Sequence, residues 1–125
     1  MRLLLDSHAL LWVLRDDRRL NRDARAAIEE PDNHVAISAV SIWEIEIKLA
    51  SGKLKIEVEL LDEVIRVGYS LLAIVPQHGI AAARLPLHHR DPFDRMLIAQ
   101  AQLEGLTIVT RDPRFAPYSV ATMPA

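Results

Sequence analysis

Short apolar runs alternate along this chain with longer segments of helical periodicity, and this alternation constrains the fold more than any other feature. The apolar runs lie at residues 3–5, 34–37, 71–75, 106–109 and 118–121. The helical segments lie at residues 7–14, 21–30, 38–52, 58–67, 79–85 and 92–104. Strands that alternate with helices form parallel sheets with both faces covered, so the pattern predicts an α/β fold.

Length and composition limit the chain to one ordinary domain. It has 125 residues, of which 50% are hydrophobic and 26% charged, so we expect a single domain over residues 1–125.

The absence of cysteine excludes disulfides, thiolate nucleophiles and cysteine zinc sites. The net charge of −2 argues against a cationic nucleic-acid coat protein but allows an enzyme that acts through bound metal. No run has the length of a membrane span, and we expect a soluble, cytoplasmic protein.

Four acidic residues fall where the predicted elements would bring them to one edge of the sheet. Asp6 ends the first strand, and Asp112 lies just beyond the fourth. Glu44 and Asp94 lie near the starts of two helices. Ligands bind beyond the carboxyl ends of strands in open α/β sheets, and carboxylates gathered there would repel one another. Mg²⁺ or Mn²⁺, which favour oxygen ligands, would relieve this repulsion.

Each acid also has a purely structural interpretation when it is taken alone. Asp6 would cap the first helix, Glu44 would form a capping box with Ser41, and Asp112 would begin a turn before a proline. Asp94 would favour the helix dipole. Only their common position at one sheet edge favours a metal site.

Histidine and tryptophan residues have ordinary interpretations in the sequence. His88 and His89 are adjacent in a predicted loop and lack the spacing of a zinc enzyme, so we predict that both face solvent. Trp12 and Trp43 fall on helices among apolar neighbours. That setting favours core or interface packing over stacking on a nucleotide.

Three segments of the chain carry a family resemblance. They are LLLDSHALLW at residues 3–12, SAVSIWEI at residues 38–45, and RDPFDRMLIAQA at residues 90–101, which is followed by TRD at residues 110–112. Together they resemble the PIN domain family, and within it the VapC-type toxins of type II toxin–antitoxin systems. The third segment is the most specific. The chain departs slightly at Ser7, where threonine is more usual in the family, but a hydroxyl group is kept.

The resemblance implies a three-layer α/β/α sandwich with a central parallel sheet, PIN-like and Rossmann-like. It also implies a Mg²⁺- or Mn²⁺-dependent endoribonuclease that hydrolyses RNA and acts as the toxin of such a pair. Asp6, Glu44 and Asp94 match the first three motif acids of the family, and Asp112 matches a fourth, less constant acid. These four are the expected catalytic and metal-binding residues.

The same resemblance implies two protein partners, a second copy of the chain and a small antitoxin that covers the active-site groove. Exposed apolar faces on the predicted helices at 21–30 and 58–67 would serve a homodimer. Arg90, Arg95 and Arg111 lie beside the motif acids and are candidates to hold a substrate phosphate by bidentate contact. Arg95 has the alternative of pairing with a local acid.

Other functions were weighed against the nuclease. A bacterial receiver domain has a similar length and an acidic sheet edge, but it needs a lysine after its fifth strand, and no lysine follows Lys55 here. Two alternatives within the same family remain open: a PIN nuclease in RNA processing outside a toxin pair, and a non-catalytic PIN-like binding module.

Overall fold

The computed structural model describes all of residues 1–125 as a five-stranded parallel sheet with six helices. The strands are β1 Arg2–Leu5, β2 His34–Ser38, β3 Ser70–Leu72, β4 Thr107–Thr110 and β5 Thr122–Pro124. The helices are α1 Ser7–Leu14, α2 Arg22–Glu29, α3 Ala39–Ala50, α4 Leu60–Arg66, α5 Pro76–Arg84 and α6 Pro92–Glu104, with a 3₁₀ turn at Pro113–Phe115. The strand order is β3-β2-β1-β4-β5, and every pairing is parallel. The predicted α/β fold with a central parallel sheet is confirmed.

Alternate residues of the central strands point into two separate cores, which accounts for the three layers. Leu3 and Leu5 of β1 pack with α1, α2 and α4 on one face of the sheet. Leu4, between them, packs with α6 on the other face. Because successive side chains of a strand point to opposite faces, an apolar run such as Leu3–Leu5 is what a strand covered on both sides requires.

The helix starts that follow the strands are fixed by short polar side chains. Asp6 caps α1 and Ser38 caps α3, each accepting a hydrogen bond from a main-chain N–H of the first turn. Asp91 caps α6 in the same way, with Pro92 at the first helical position. Gly105 ends α6 at φ 67°, a left-handed conformation that glycine adopts without a steric penalty. These caps set the positions of the residues described below.

Three of the predicted elements differ from the structure. Residues 118–121 form no strand, because Val120 N–H bonds to the Tyr118 carbonyl in a tight turn, and β5 follows at Thr122–Pro124. The third strand stops at Leu72 instead of reaching Val75. Helix α5 begins at Pro76, earlier than predicted, because a proline is favourable at the first helical position.

Exposed apolar side chains lie on one of the two helices predicted to offer them. Helix α4 exposes Leu61 and Ile65. The prediction was wrong for α2, whose large apolar side chain, Ile28, is buried in the core. No helix of the structure combines the length and the apolar character needed to cross a membrane.

Two glycines with different backbone conformations provide a matched test of the fold. We expect Gly105→Ala to lower the free energy of unfolding by about 1 kcal/mol, because its φ of 67° is unfavourable for a residue with a Cβ atom. Gly79→Ala should instead raise that free energy by up to about 1 kcal/mol, because Gly79 lies inside α5 with open space around its added Cβ. Urea unfolding of both variants measures the two effects. If both substitutions changed the free energy of unfolding in the same direction, the left-handed helix end at Gly105 would be contradicted.

Candidate active site

The four predicted acids line one polar cavity of about 160 Å³ at the carboxyl ends of β1 and β4. No hydrophobic residue contributes to its wall. The full lining comprises Asp6, Ser7, His8, Glu44, Lys48, Asp91, Asp94, Asp112 and Arg114. The structure therefore brings together Asp6, Glu44, Asp94 and Asp112 from α1, α3, α6 and the turn after β4, as the sequence analysis expects.

Asp6 is the most deeply placed of the four acids. It accepts a hydrogen bond of 2.8 Å from the Ala9 N–H, and the Thr110 hydroxyl also donates to it. Burial nevertheless raises the pKa of Asp6 above its usual value, and these hydrogen bonds offset only part of that effect. The residue is thus a helix cap and a cavity acid at the same time.

Glu44 is held by a hydroxyl on the neighbouring helix. The Ser7 Oγ donates a hydrogen bond of 2.5 Å to Glu44 Oε1, which joins α1 to α3 across the cavity. The capping box considered for Ser41 and Glu44 does not form, because Ser38 is the N-cap of α3. Ser41 is buried, and its hydroxyl has no hydrogen-bond partner. The structural interpretation of Glu44 is therefore wrong, and its side chain faces the cavity.

Asp94 pairs with a histidine that the sequence analysis placed in solvent. His89 Nε2 lies 2.7 Å from Asp94 Oδ2, and the His89 side chain is only 2% exposed. Burial and the nearby Asp91 charge raise the pKa of Asp94 to about 6, while the hydrogen bond from His89 opposes that rise. The prediction of a solvent-facing residue was wrong for His89 and is confirmed for His88.

His89 has a fixed orientation because both its main chain and its ring have partners. Its main-chain N–H donates to the Tyr118 hydroxyl at 2.8 Å, and that hydroxyl donates to the Pro86 carbonyl. Its Nδ1 accepts from the Asp91 N–H at 3.4 Å, so Nε2 carries the proton donated to Asp94. Asp91 and Asp94 are close to His89 in the sequence, but Tyr118 lies 29 residues away, and no local motif indicates that it fixes His89.

Asp112 is stabilised as a carboxylate by an arginine two residues away. Arg114 forms a side-chain hydrogen bond of 2.8 Å with Asp112 and holds the pKa of that carboxyl below its usual value. Asp112 Oδ2 also lies 3.6 Å from His89 Nε2. Burial thus raises the pKa values of Asp6 and Asp94, whereas Arg114 lowers the pKa of Asp112.

The three arginines considered for phosphate binding lie in different settings. Arg95 is buried, and its guanidinium donates to the carbonyls of Ala82, Leu85, Pro86 and His89. Arg95 thus braces the loop before α6 and does not line the cavity, which corrects the phosphate role considered for it. Arg111 donates to the Ala125 carbonyl and stacks on Trp12. Arg90 is exposed beside the site.

The two tryptophans also differ from each other. Trp12 is 9% exposed and belongs to a core cluster, as predicted. Trp43 is 60% exposed, so it does not pack in the core, and interface packing, the other role expected for it, stays a prediction. Its ring instead lies edge-on to Phe93, with 5.1 Å between the ring centroids.

The donor set of the cavity fits a hard divalent cation. Atoms of Asp94, Asp112 and His89 lie within 4.8 Å of one another, and the remaining acids supply oxygen ligands from the same wall. The raised pKa values of Asp6 and Asp94 indicate that these two carboxyls resist ionisation unless a positive charge lies nearby. A divalent cation would favour their charged forms. The candidate ligands are Asp6, Glu44, Asp94 and Asp112.

Comparison with known proteins gives a consistent family assignment. The model of the PIN domain family matches residues 3–120. A curated relative, Ribonuclease VapC22 of Mycobacterium tuberculosis, is 34% identical over 89% of this chain and 87% of its own length. Among solved structures, VapBC2 from Rickettsia felis bound to a promoter DNA fragment aligns with a TM-score of 0.73 at 13% identity, covering 98% of both chains. A toxin–antitoxin complex from Klebsiella pneumoniae aligns at 0.69 and 19% identity, covering 98% of this chain and 96% of the other.

The raised pKa of Asp94 predicts how the stability of the metal-free protein depends on pH. The folded carboxyl, with a pKa of about 6, binds its proton more tightly than the unfolded one, whose pKa is near 3.8. The resulting stabilisation is fully present below the unfolded pKa and is lost as the pH rises through about 6. We expect the free energy of unfolding to fall by on the order of 1 kcal/mol across that range, after solvent screening is allowed for.

Urea unfolding in EDTA at a series of pH values measures this effect. Asp94→Asn has no titrating carboxyl, so its stability should fall less steeply over the same pH range. Asp62→Asn, at a surface position on α4, is the control. Its free energy of unfolding should depend on pH as that of the wild type does. An identical pH dependence in the wild type and Asp94→Asn would contradict the raised pKa.

Proposed function

We propose that this chain, which belongs to the PIN domain family, is a Mg²⁺- or Mn²⁺-dependent endoribonuclease and the toxin of a type II toxin–antitoxin pair. The observation that carries the proposal is the single cavity lined by Asp6, Glu44, Asp94 and Asp112. The name of the 34% identical relative, a ribonuclease, supports the activity. The Klebsiella pneumoniae structure that this chain resembles, a toxin–antitoxin complex, supports the biological setting.

The four acids have distinct roles in this proposal. Asp6 and Asp94 hold the metal directly, and Glu44 and Asp112 bind a second ion or orient water beside the first. A bound divalent ion would activate water for in-line attack on phosphorus and neutralise charge on the phosphate oxygens. The exposed Arg90, which precedes the cavity residue Asp91 in the chain, remains a candidate for contact with a neighbouring phosphate.

The chain's own hydrogen bonds keep these carboxylates oriented. Ser7 holds Glu44, and His89 holds Asp94 through an N–H that cannot turn away because its ring is fixed. Partners of this kind orient metal ligands, and their loss commonly lowers metal affinity or activity about 10- to 100-fold. We therefore assign Ser7 and His89 as positioning residues.

The protein partners follow from the same family context. We propose that a small antitoxin covers the groove around the acidic cavity and that the toxin forms a homodimer in the cytoplasm. The exposed Leu61 and Ile65 on α4 offer one apolar face for such contacts. RNA processing outside a toxin pair and a non-catalytic module remain the alternatives.

Removing one metal ligand tests the activity. We expect Asp94→Asn to reduce cleavage of total cellular RNA in Mn²⁺ to below about 1% of the wild-type rate, because the metal loses a direct carboxylate ligand. The melting temperature of this variant should not fall. Asp62→Asn, which removes an acid on α4 away from the cavity, should cleave like the wild type.

Gel analysis of RNA incubated with each protein, with and without EDTA, provides the measurement. Full activity in Asp94→Asn, or wild-type cleavage that persists in EDTA, would overturn the metal-nuclease proposal. A folded wild-type protein that binds Mn²⁺ and RNA without cleaving any RNA would favour the non-catalytic module.

A further inference from the structure

A second cavity adjoins the acidic one. This neighbouring cavity, of about 480 Å³, shares Asp6, His8, Asp112 and Arg114 with the acidic cavity. Its other lining residues are Trp12, Arg111 and Pro113. Because four residues belong to both walls, the two cavities form one groove that changes from acidic to basic and aromatic along its length.

Trp12 contributes to the lining of this groove, and two guanidinium groups lie against its ring. The Arg111 guanidinium carbon lies 4.5 Å from the Trp12 ring centroid, and the Arg19 guanidinium carbon lies 5.4 Å from it. Arg111 also donates to the main-chain carbonyls of Arg19 and Ala125. These contacts tie the loop after α1 to the chain end, so the groove has a defined shape.

Arg19, whose guanidinium lies over the Trp12 ring, also lines a third and more basic cavity. This cavity, of about 560 Å³, is lined by Asp16, Arg18, Arg19, Leu20, Asn21, Arg22 and Arg25. Within it, Arg19 pairs with Asp17, and Arg25 pairs with Asp16. Arg18 and Arg22 are exposed, and neither forms a salt bridge. We define the basic groove as the second and third cavities together.

The uncompensated charge of Arg18 and Arg22 has no role in holding the fold. The chain as a whole has a net charge of −2, and the acidic cavity adds negative charge where an RNA phosphate would have to approach. A polyanion therefore needs a local cationic surface to remain bound beside that cavity. Guanidinium groups bind phosphate oxygens well, since their planar N–H donors match the phosphate geometry.

We infer that the basic groove binds the RNA backbone on one side of the cleavage position, with Arg18 and Arg22 contacting phosphates beyond Trp12. The inference rests on the proposed function, because it takes the acidic cavity as the place of cleavage. The continuity of the groove with that cavity favours RNA, since a strand that enters the cavity has to leave it along an adjoining surface. Binding of this kind is independent of base sequence.

The experiment compares two double variants that remove equal charge. Arg18→Gln/Arg22→Gln alters the basic groove, and Arg66→Gln/Arg84→Gln removes two arginines outside it. Fluorescence anisotropy follows the binding of labelled oligouridylate to each protein in EDTA, where the proposed cleavage does not occur, over a series of KCl concentrations. The melting temperatures of both double variants confirm that they are folded.

We expect the groove variant to change the salt dependence of binding. Each phosphate contact to a single strand contributes about 0.7 to the slope of log K against log salt, so losing two contacts lowers the slope by about 1.4. The control variant should keep the wild-type slope. In cleavage of total RNA, the groove variant should raise KM and leave kcat unchanged, which separates substrate binding from chemistry.

Three outcomes would overturn the inference. The first is an unchanged slope in the groove variant, and the second is a wild type that binds no oligouridylate. The third is binding of labelled oligoglutamate through Arg18 and Arg22 without binding of oligouridylate. In that case the basic groove would bind an acidic protein segment instead of RNA. The proposed function fails separately, if the wild type binds oligouridylate through these arginines and cleaves no RNA.

Discussion

The mutual repulsion of carboxylates at one edge of the sheet is the constraint on which the structure of the site depends. A parallel sheet places the carboxyl ends of its strands side by side, and here Asp6 follows β1 directly and Asp112 lies one residue further beyond the end of β4. Helices α3 and α6 add Glu44 and Asp94 to the same cavity. The cost is visible in the raised pKa values of Asp6 and Asp94, which are caused mainly by burial and to which the charge of Glu44 adds. A fold selected only for stability would gain from neutral side chains at these positions, so the carboxyl groups found there favour a bound cation.

The chain offsets part of this cost with its own donors. Main-chain N–H groups, the Ser7 hydroxyl, the His89 ring and the Arg114 guanidinium each donate to a different acid. The same contacts fix the direction in which each carboxylate points. Capping and metal binding are therefore compatible roles, since Asp6 starts α1 with one oxygen and still lines the cavity.

Much of the fold and the four acids could be predicted from the sequence, because the relevant signals are local. The apolar run before Asp6, the Asp91-Pro92 start of α6 and its end at Gly105 each act within a few residues. The fifth strand was misplaced because the tight turn at Tyr118 depends on contacts with the loop at Pro86. His89 and Arg95 were misjudged because their burial has no periodic signal: His89 is held by Tyr118, 29 residues away, and Arg95 donates to main-chain carbonyls 6 to 13 residues before it.

Calorimetric titration of the metal-free protein with Mn²⁺ tests the central claim most directly, because it needs no knowledge of the RNA. The wild type and Asp94→Asn would be compared, with Asp62→Asn as the control for removal of a distant acid. The account predicts that the wild type and the control bind Mn²⁺ and that Asp94→Asn loses this binding while remaining folded. Equal binding by all three proteins, or no binding by the folded wild type, would contradict a metal site among these acids.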